Sequence, residues 1–139
     1  MESDEHKLEE LIMLLARSFA DDEAAGATKL NKVLFSVDFV HHRRFGRPVT
    51  GAEYQKLEHG PAPRRLVPVR DHLVSVGAVR QFETEFHGLT QHRLEALRHP
   101  KLDAFGPTET DVIDEVIDAF RGQNGTQLSD LSHQTFGWQ

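Results

Sequence analysis

From Thr28 to Leu66 the chain reads TKLNKVLFSVDFVHHRRFGRPVTGAEYQKLEHGPAPRRL. Apolar residues at helical spacing fill its first half, and Gly46 stands where such a helix would stop. A turn over Arg47–Gly51 follows, then a short strand over Ala52–Glu58 anchored on Tyr54. A stiff His59-Gly60-Pro61-Ala62-Pro63 corner closes the stretch. Placing residues at about 100° per step puts Leu30, Val33, Leu34, Val37 and Val40 in one sector and Phe35 and Phe39 on another. Lys29, Lys32, Ser36 and Arg43 then form the solvent face. A helix apolar on two sides needs neighbours on both, so this one belongs at the centre of the fold.

Asn31, Asp38 and His42 fall in line between the apolar sectors. A buried carboxylate must be paired or hydrogen-bonded, and His42 lies one turn beyond Asp38. The three residues therefore read as a buried polar network that fixes the helix. The competing reading is a recognition or acid–base site. An Asp–His pair with no Ser or Cys nucleophile in view is weak support for catalysis.

The remaining elements are clear from periodicity. Leu8, Leu11, Ile12, Leu15, Ala16 and Phe19 mark an amphipathic helix over Glu5–Phe19, followed by an acidic connector. Pro is comfortable only in a first helical turn, so a third helix is expected to begin near Pro68, with Leu66, Val69, Leu73 and Val76 buried and Gly77 as its stop. Ala78–Leu97 reads as a β-hairpin turning at His87-Gly88, which sets Glu83 opposite His92 and Arg80 opposite Glu95. Pro107 and a capping-box variant, Thr108 to Asp111, announce a helix over Thr108–Arg121. A last short helix is expected over Thr126–His133, ahead of Trp138. The expected fold is α+β and mainly α, with about five helices around the central one and a small antiparallel β element.

At 139 residues the chain is sized for one domain: residues 1–25 are a helix and connector, and 28–66 the core. It has no Cys, so no disulfide framework, thiolate metal site or Cys nucleophile is available. The acidic start MESDEHKLEE does not read as a signal peptide, and no apolar run approaches a membrane span. A cytoplasmic setting is the expectation. The net charge of −6 argues against a nucleic-acid partner. Phosphate-binding, dinucleotide and nucleophile-elbow motifs are absent, as is His-Glu-x-x-His. No enzyme activity, metal or cofactor is expected.

The Thr28–Leu66 block resembles the central signature of the Panacea domain, the SocA-like antitoxin family, which phage-associated GepA-type proteins share. The matching parts are Lys29–Phe35, Asp38 and His42, Arg44–Gly51, Tyr54, and His59–Pro63. Ala62 and Pro68 depart from the usual pattern. The resemblance implies a mainly helical, non-enzymatic domain that neutralises a cognate protein toxin by direct binding, or as an adaptor delivering it to a Clp-type protease. Some members serve in mobile elements without a toxin. The contacts would come from the solvent side of the central helix and the corner: Lys32, Arg43, Arg47, Tyr54, His59, Arg64 and Arg65. The alternative is a winged-helix nucleic-acid-binding regulator, which the net charge and a hairpin poor in Lys and Arg disfavour.

Overall fold

Helix α1 (Glu5–Ser18) buries Leu8, Leu11, Ile12, Leu15 and Ala16 on one side, as its spacing predicts. The structure is a computed structural model, and it describes residues 5–58 and 60–121. After α1 come α2 (Ala27–Phe45), the strands β1 (Tyr54–Leu57) and β2 (Gly60–Pro63), and α3 (Leu66–Ser75). A second hairpin, β3 (Val79–Phe86) and β4 (Leu89–Ala96), leads through a 3-10 turn at Leu102–Ala104 to α4 (Pro107–Phe120). The fold is α+β, with four α-helices and two small antiparallel sheets among the described residues. The expected helix at Thr126–His133, Trp138 and His59 lie outside the described residues.

One apolar cluster unites these elements. Leu11 and Leu15 of α1, Val33 and Val37 of α2, and Ile113 and Phe120 of α4 all belong to it. Helix α2 is the central element, and its surroundings correct the expected wheel. Lys29, Lys32 and Ser36, assigned to solvent, are buried, whereas Leu30 and Val40 are only half-buried. The physical reason is that α1, α4 and β2 all pack against α2, which leaves no broad solvent face. Long lysine stems bury well when their charged ends find partners. The Lys29 ammonium reaches the Asp22 carboxylate at 2.5 Å and sits 5.0 Å from the centroid of the Phe19 ring.

The rigid corner is also corrected in shape, because Gly60–Pro63 forms a strand. It pairs with β1 in antiparallel register, Tyr54 opposite Pro63 and Leu57 opposite Gly60. Both strands of a two-stranded ribbon are edges, so two prolines without N–H groups are tolerated there. Gly60 has a φ of +125°, and a Cβ at that position would lie 2.9 Å from the Lys32 Cε atom. Lys32 therefore packs its stem on the bare α-carbon of the ribbon.

Helix α3 starts at Leu66, two residues earlier than expected, and Pro68 remains inside its first turn, where no helical N–H is lost. Val69 and Leu73 are buried as expected, while Val76 is exposed. The β3–β4 register places Glu83 opposite His92 and Arg80 opposite Glu95, as the two-residue turn requires. His87 and Gly88 take φ values of 52° and 78°, the consecutive left-handed pair that such a turn uses. The cap of α4 lies two residues earlier than the sequence reading placed it. Gly106 is the N-cap residue, Pro107 opens the helix, and the Gly106 N–H donates to Glu109 Oε1 at 2.9 Å. That shift frees Thr108 for another contact.

Candidate functional site

Asp38 projects from the C-terminal half of α2 toward the turn that leads into β1. Its Oδ1 accepts the Thr50 N–H at 2.7 Å, and its Oδ2 accepts the Thr50 hydroxyl at 2.5 Å and the Tyr54 hydroxyl at 2.7 Å. Thr50 Oγ1 also accepts the Ala52 N–H at 3.1 Å. One carboxylate thus ties the helix, the Pro48–Gly51 turn and the first strand together. Burial pushes the Asp38 carboxyl above its ordinary value of 3.8, and the hydrogen bonds from Thr50 and Tyr54 oppose that push without cancelling it. Burial, followed by the Asp38 charge, pushes the Tyr54 phenol well above its ordinary value, which keeps it a donor. Every donor meeting Asp38 is neutral and already inside the protein. That arrangement holds the turn against the helix.

His41, not His42, is the buried histidine of α2. Its Nδ1 lies 2.6 Å from the Arg47 carbonyl oxygen, and its Nε2 lies 3.0 Å from the Thr108 hydroxyl. A carbonyl can only accept, so Nδ1–H is the donor of the first bond. The ring couples the end of α2 to the first turn of α4. His42 is exposed, one residue and about 100° further round the helix. The expected Asn31–Asp38–His42 network is therefore corrected: no hydrogen bond joins the three. Asp38 is braced by Thr50 and Tyr54, His42 faces solvent, and the half-buried Asn31 has an Oδ1 atom with no protein partner.

The residues expected to meet a partner divide in the same way. Arg43, Arg47, Arg64 and Arg65 are exposed. Arg65 Nε already reaches Glu5 at 2.8 Å. Lys32 is buried and Tyr54 is committed to Asp38, so neither presents a free surface. His59 lies outside the described residues. Thr50, His41 and Thr108 were the structurally decisive residues that sequence reasoning passed over. Thr50 sat in the quoted Pro-Val-Thr-Gly turn, and its hydroxyl beside a buried Asp was the available signal.

A family model described as antitoxin SocA-like, Panacea domain, matches residues 30–139. The chain belongs to the Panacea family. The comparisons with curated proteins and with solved structures returned no match. In this Panacea domain the residues that drew attention as chemistry, Asp38 and its neighbours, fasten the signature turn to the central helix. Helix α1 precedes the matched segment, yet Leu8, Leu11 and Leu15 lie in the same core cluster as Val33 and Val37. Among the described residues no group of His, Asp and Glu could hold a metal ion, and no helix is long and apolar enough to cross a membrane. Membership gives the chain an antitoxin-type domain, and such a domain implies a protein partner.

Proposed function

We propose that the protein is a non-enzymatic antitoxin that neutralises one cognate protein toxin by stoichiometric binding, covering the toxin's working surface. The observation that carries this reading is the family match over residues 30–139. The saturated surroundings of Asp38 support it, because the most enzyme-like residue of the signature is consumed in bracing. The exposed Arg43 and Arg47 at the end of α2 and Arg64 beyond β2 offer cationic side chains suited to an acidic face of the toxin, while Arg44 is paired with Glu115.

Co-expression tests the reading. The product of the neighbouring open reading frame, expressed alone, should arrest bacterial growth. Adding this chain should restore growth, and the two should co-purify at a fixed ratio. A neighbouring product that is harmless on its own would remove the proposal's main consequence.

A further inference from the structure

Asn31 does not belong to the Asp38 brace, and its surroundings give it another use. It lines a cleft of about 600 Å3, open mouth included, between α1, the start of α2, α3 and the β3–β4 hairpin. Leu15, Phe19, Leu30, Leu66 and Leu94 make an apolar lining. Arg70, His92 and Arg93 stand among its polar residues, and among the described residues no Asp or Glu lines it, although the chain carries 22 acidic residues and a net charge of −6. Two buried atoms of this lining have no protein partner: Asn31 Oδ1, which can only accept, and Arg70 Nε, which can only donate. Lone buried polar atoms are costly and rare, so two in one cleft require an explanation.

We infer that this cleft anchors an extended segment of the protein partner, bearing one large apolar side chain next to an acidic residue. Both side chains are half-buried, so a small turn of each brings its covered atom to the cleft, where an extended backbone offers a donor N–H for Asn31 Oδ1 and an acceptor C=O for Arg70 Nε at once. The apolar lining takes the side chain, in the manner of an interface anchor seated in a pocket. The acidic neighbour meets Arg70, on a rim with no carboxylate among the described residues; the Arg93 guanidinium is held by the Asp22 and Phe19 carbonyls at 2.8 and 3.1 Å. Among the described residues Arg70 meets one carboxylate, loosely, at 3.4 Å to the exposed Asp71. The inference deepens the antitoxin reading by naming the chemistry of the toxin segment, and it rests on the partner being a protein.

The test is a titration of the full chain by NMR with three probes: N-acetyl-Gly-Phe-Glu-Gly-amide, its Lys analogue and sodium hexanoate. The acidic peptide should shift the Leu15, Leu30 and Leu94 methyls saturably, and the Lys analogue should bind about fivefold more weakly. Asn31→Leu should leave the unfolding midpoint at or above that of the natural chain and weaken the peptide about tenfold. Arg70→Met should abolish the preference for Glu over Lys. No saturable shift up to about 10 mM would overturn the inference, as would equal binding by the Asn31→Leu chain or a fall in its midpoint. Hexanoate binding as tightly as the peptide would replace the protein segment with a free amphipathic acid and overturn it too. A harmless neighbouring product with peptide binding intact would remove the antitoxin reading and support the cleft. Growth rescue by Asn31→Leu at full strength would leave the antitoxin reading standing and overturn the cleft as the toxin's anchor.

Discussion

Asp38 and Asn31 are polar residues on one helix, seven positions apart, and they are in opposite conditions. The Asp38 carboxylate receives three hydrogen bonds from Thr50 and Tyr54, whereas Asn31 Oδ1 receives none from the protein. From sequence alone both are intrusions on an apolar helix. Once partners are counted, one is internal scaffolding and the other is unspent binding capacity. The difference teaches that a polar residue in a core helix is read by its partners and not by its position on the wheel.

The sharpest break of this comparison is Asp38→Ala. It leaves the Thr50 N–H and two hydroxyls without their acceptor, and each buried orphan carries a penalty of its own. A loss of about 3–4 kcal/mol in urea unfolding is expected. A loss below about 1 kcal/mol would mean that water replaces the carboxylate easily and that the brace is decorative.

Much of the fold was legible because periodicity and turn chemistry report directly on burial. The α1 stripe, the Gly46 stop and the β3–β4 register through His87-Gly88 all follow from local rules. The face of α2 did not, because a wheel assigns lysine to solvent while the packing of α1, α4 and β2 decides otherwise. Choosing between His41 and His42 needed the position of α4, which no local pattern supplies. Gly60–Pro63 looked like a corner because two prolines argue against a strand, and only a ribbon made entirely of edges admits them. Asn31 stands out on the wheel, but the cleft that it lines is assembled from elements distant in sequence.

A second buried carboxylate sharpens the contrast by charge. Glu10 on α1 holds Arg98 through both oxygens, at 3.1 and 2.9 Å, and accepts the Lys101 N–H at 2.7 Å. Burial pushes its carboxyl up, but the Arg98 and Lys101 hydrogen bonds and the Arg98 charge outweigh it, leaving it below its ordinary 4.5. Asp38, met only by neutral donors, moves the other way. The signs follow by linkage. The Glu10 contribution is fully present above 4.5 and is lost as pH falls through its lower folded value. Folded Asp38 binds its proton more readily than the unfolded chain does, so its contribution declines as pH rises from 3.8 through its raised value. Glu10→Gln should therefore cost about 1–3 kcal/mol at neutral pH, and the gap to the natural chain should close on acidification toward about pH 3. Urea midpoints across that range are the check. A gap that stays constant would show that the shape of the side chain, and not its charge, holds Arg98.

The smallest expected effect bears most directly on whether Asn31 and Asp38 are separate. They stand roughly 10 Å apart along the helix axis, and neither bonds to the other or to a shared partner. Sites that far apart without common partners add within about 0.3–0.5 kcal/mol. A double-mutant cycle with Asn31→Leu and Asp38→Asn should accordingly return a coupling energy inside that range. Asparagine at 38 keeps an oxygen for the Thr50 N–H, so the double variant should remain folded and the cycle measurable. A coupling of 1 kcal/mol or more would revive a single polar network along the helix, and with it the idea that the cleft is wired to the signature turn. Additivity would leave two independent devices on one helix: a closed one that fixes where the turn stands, and an open one that meets what the domain binds.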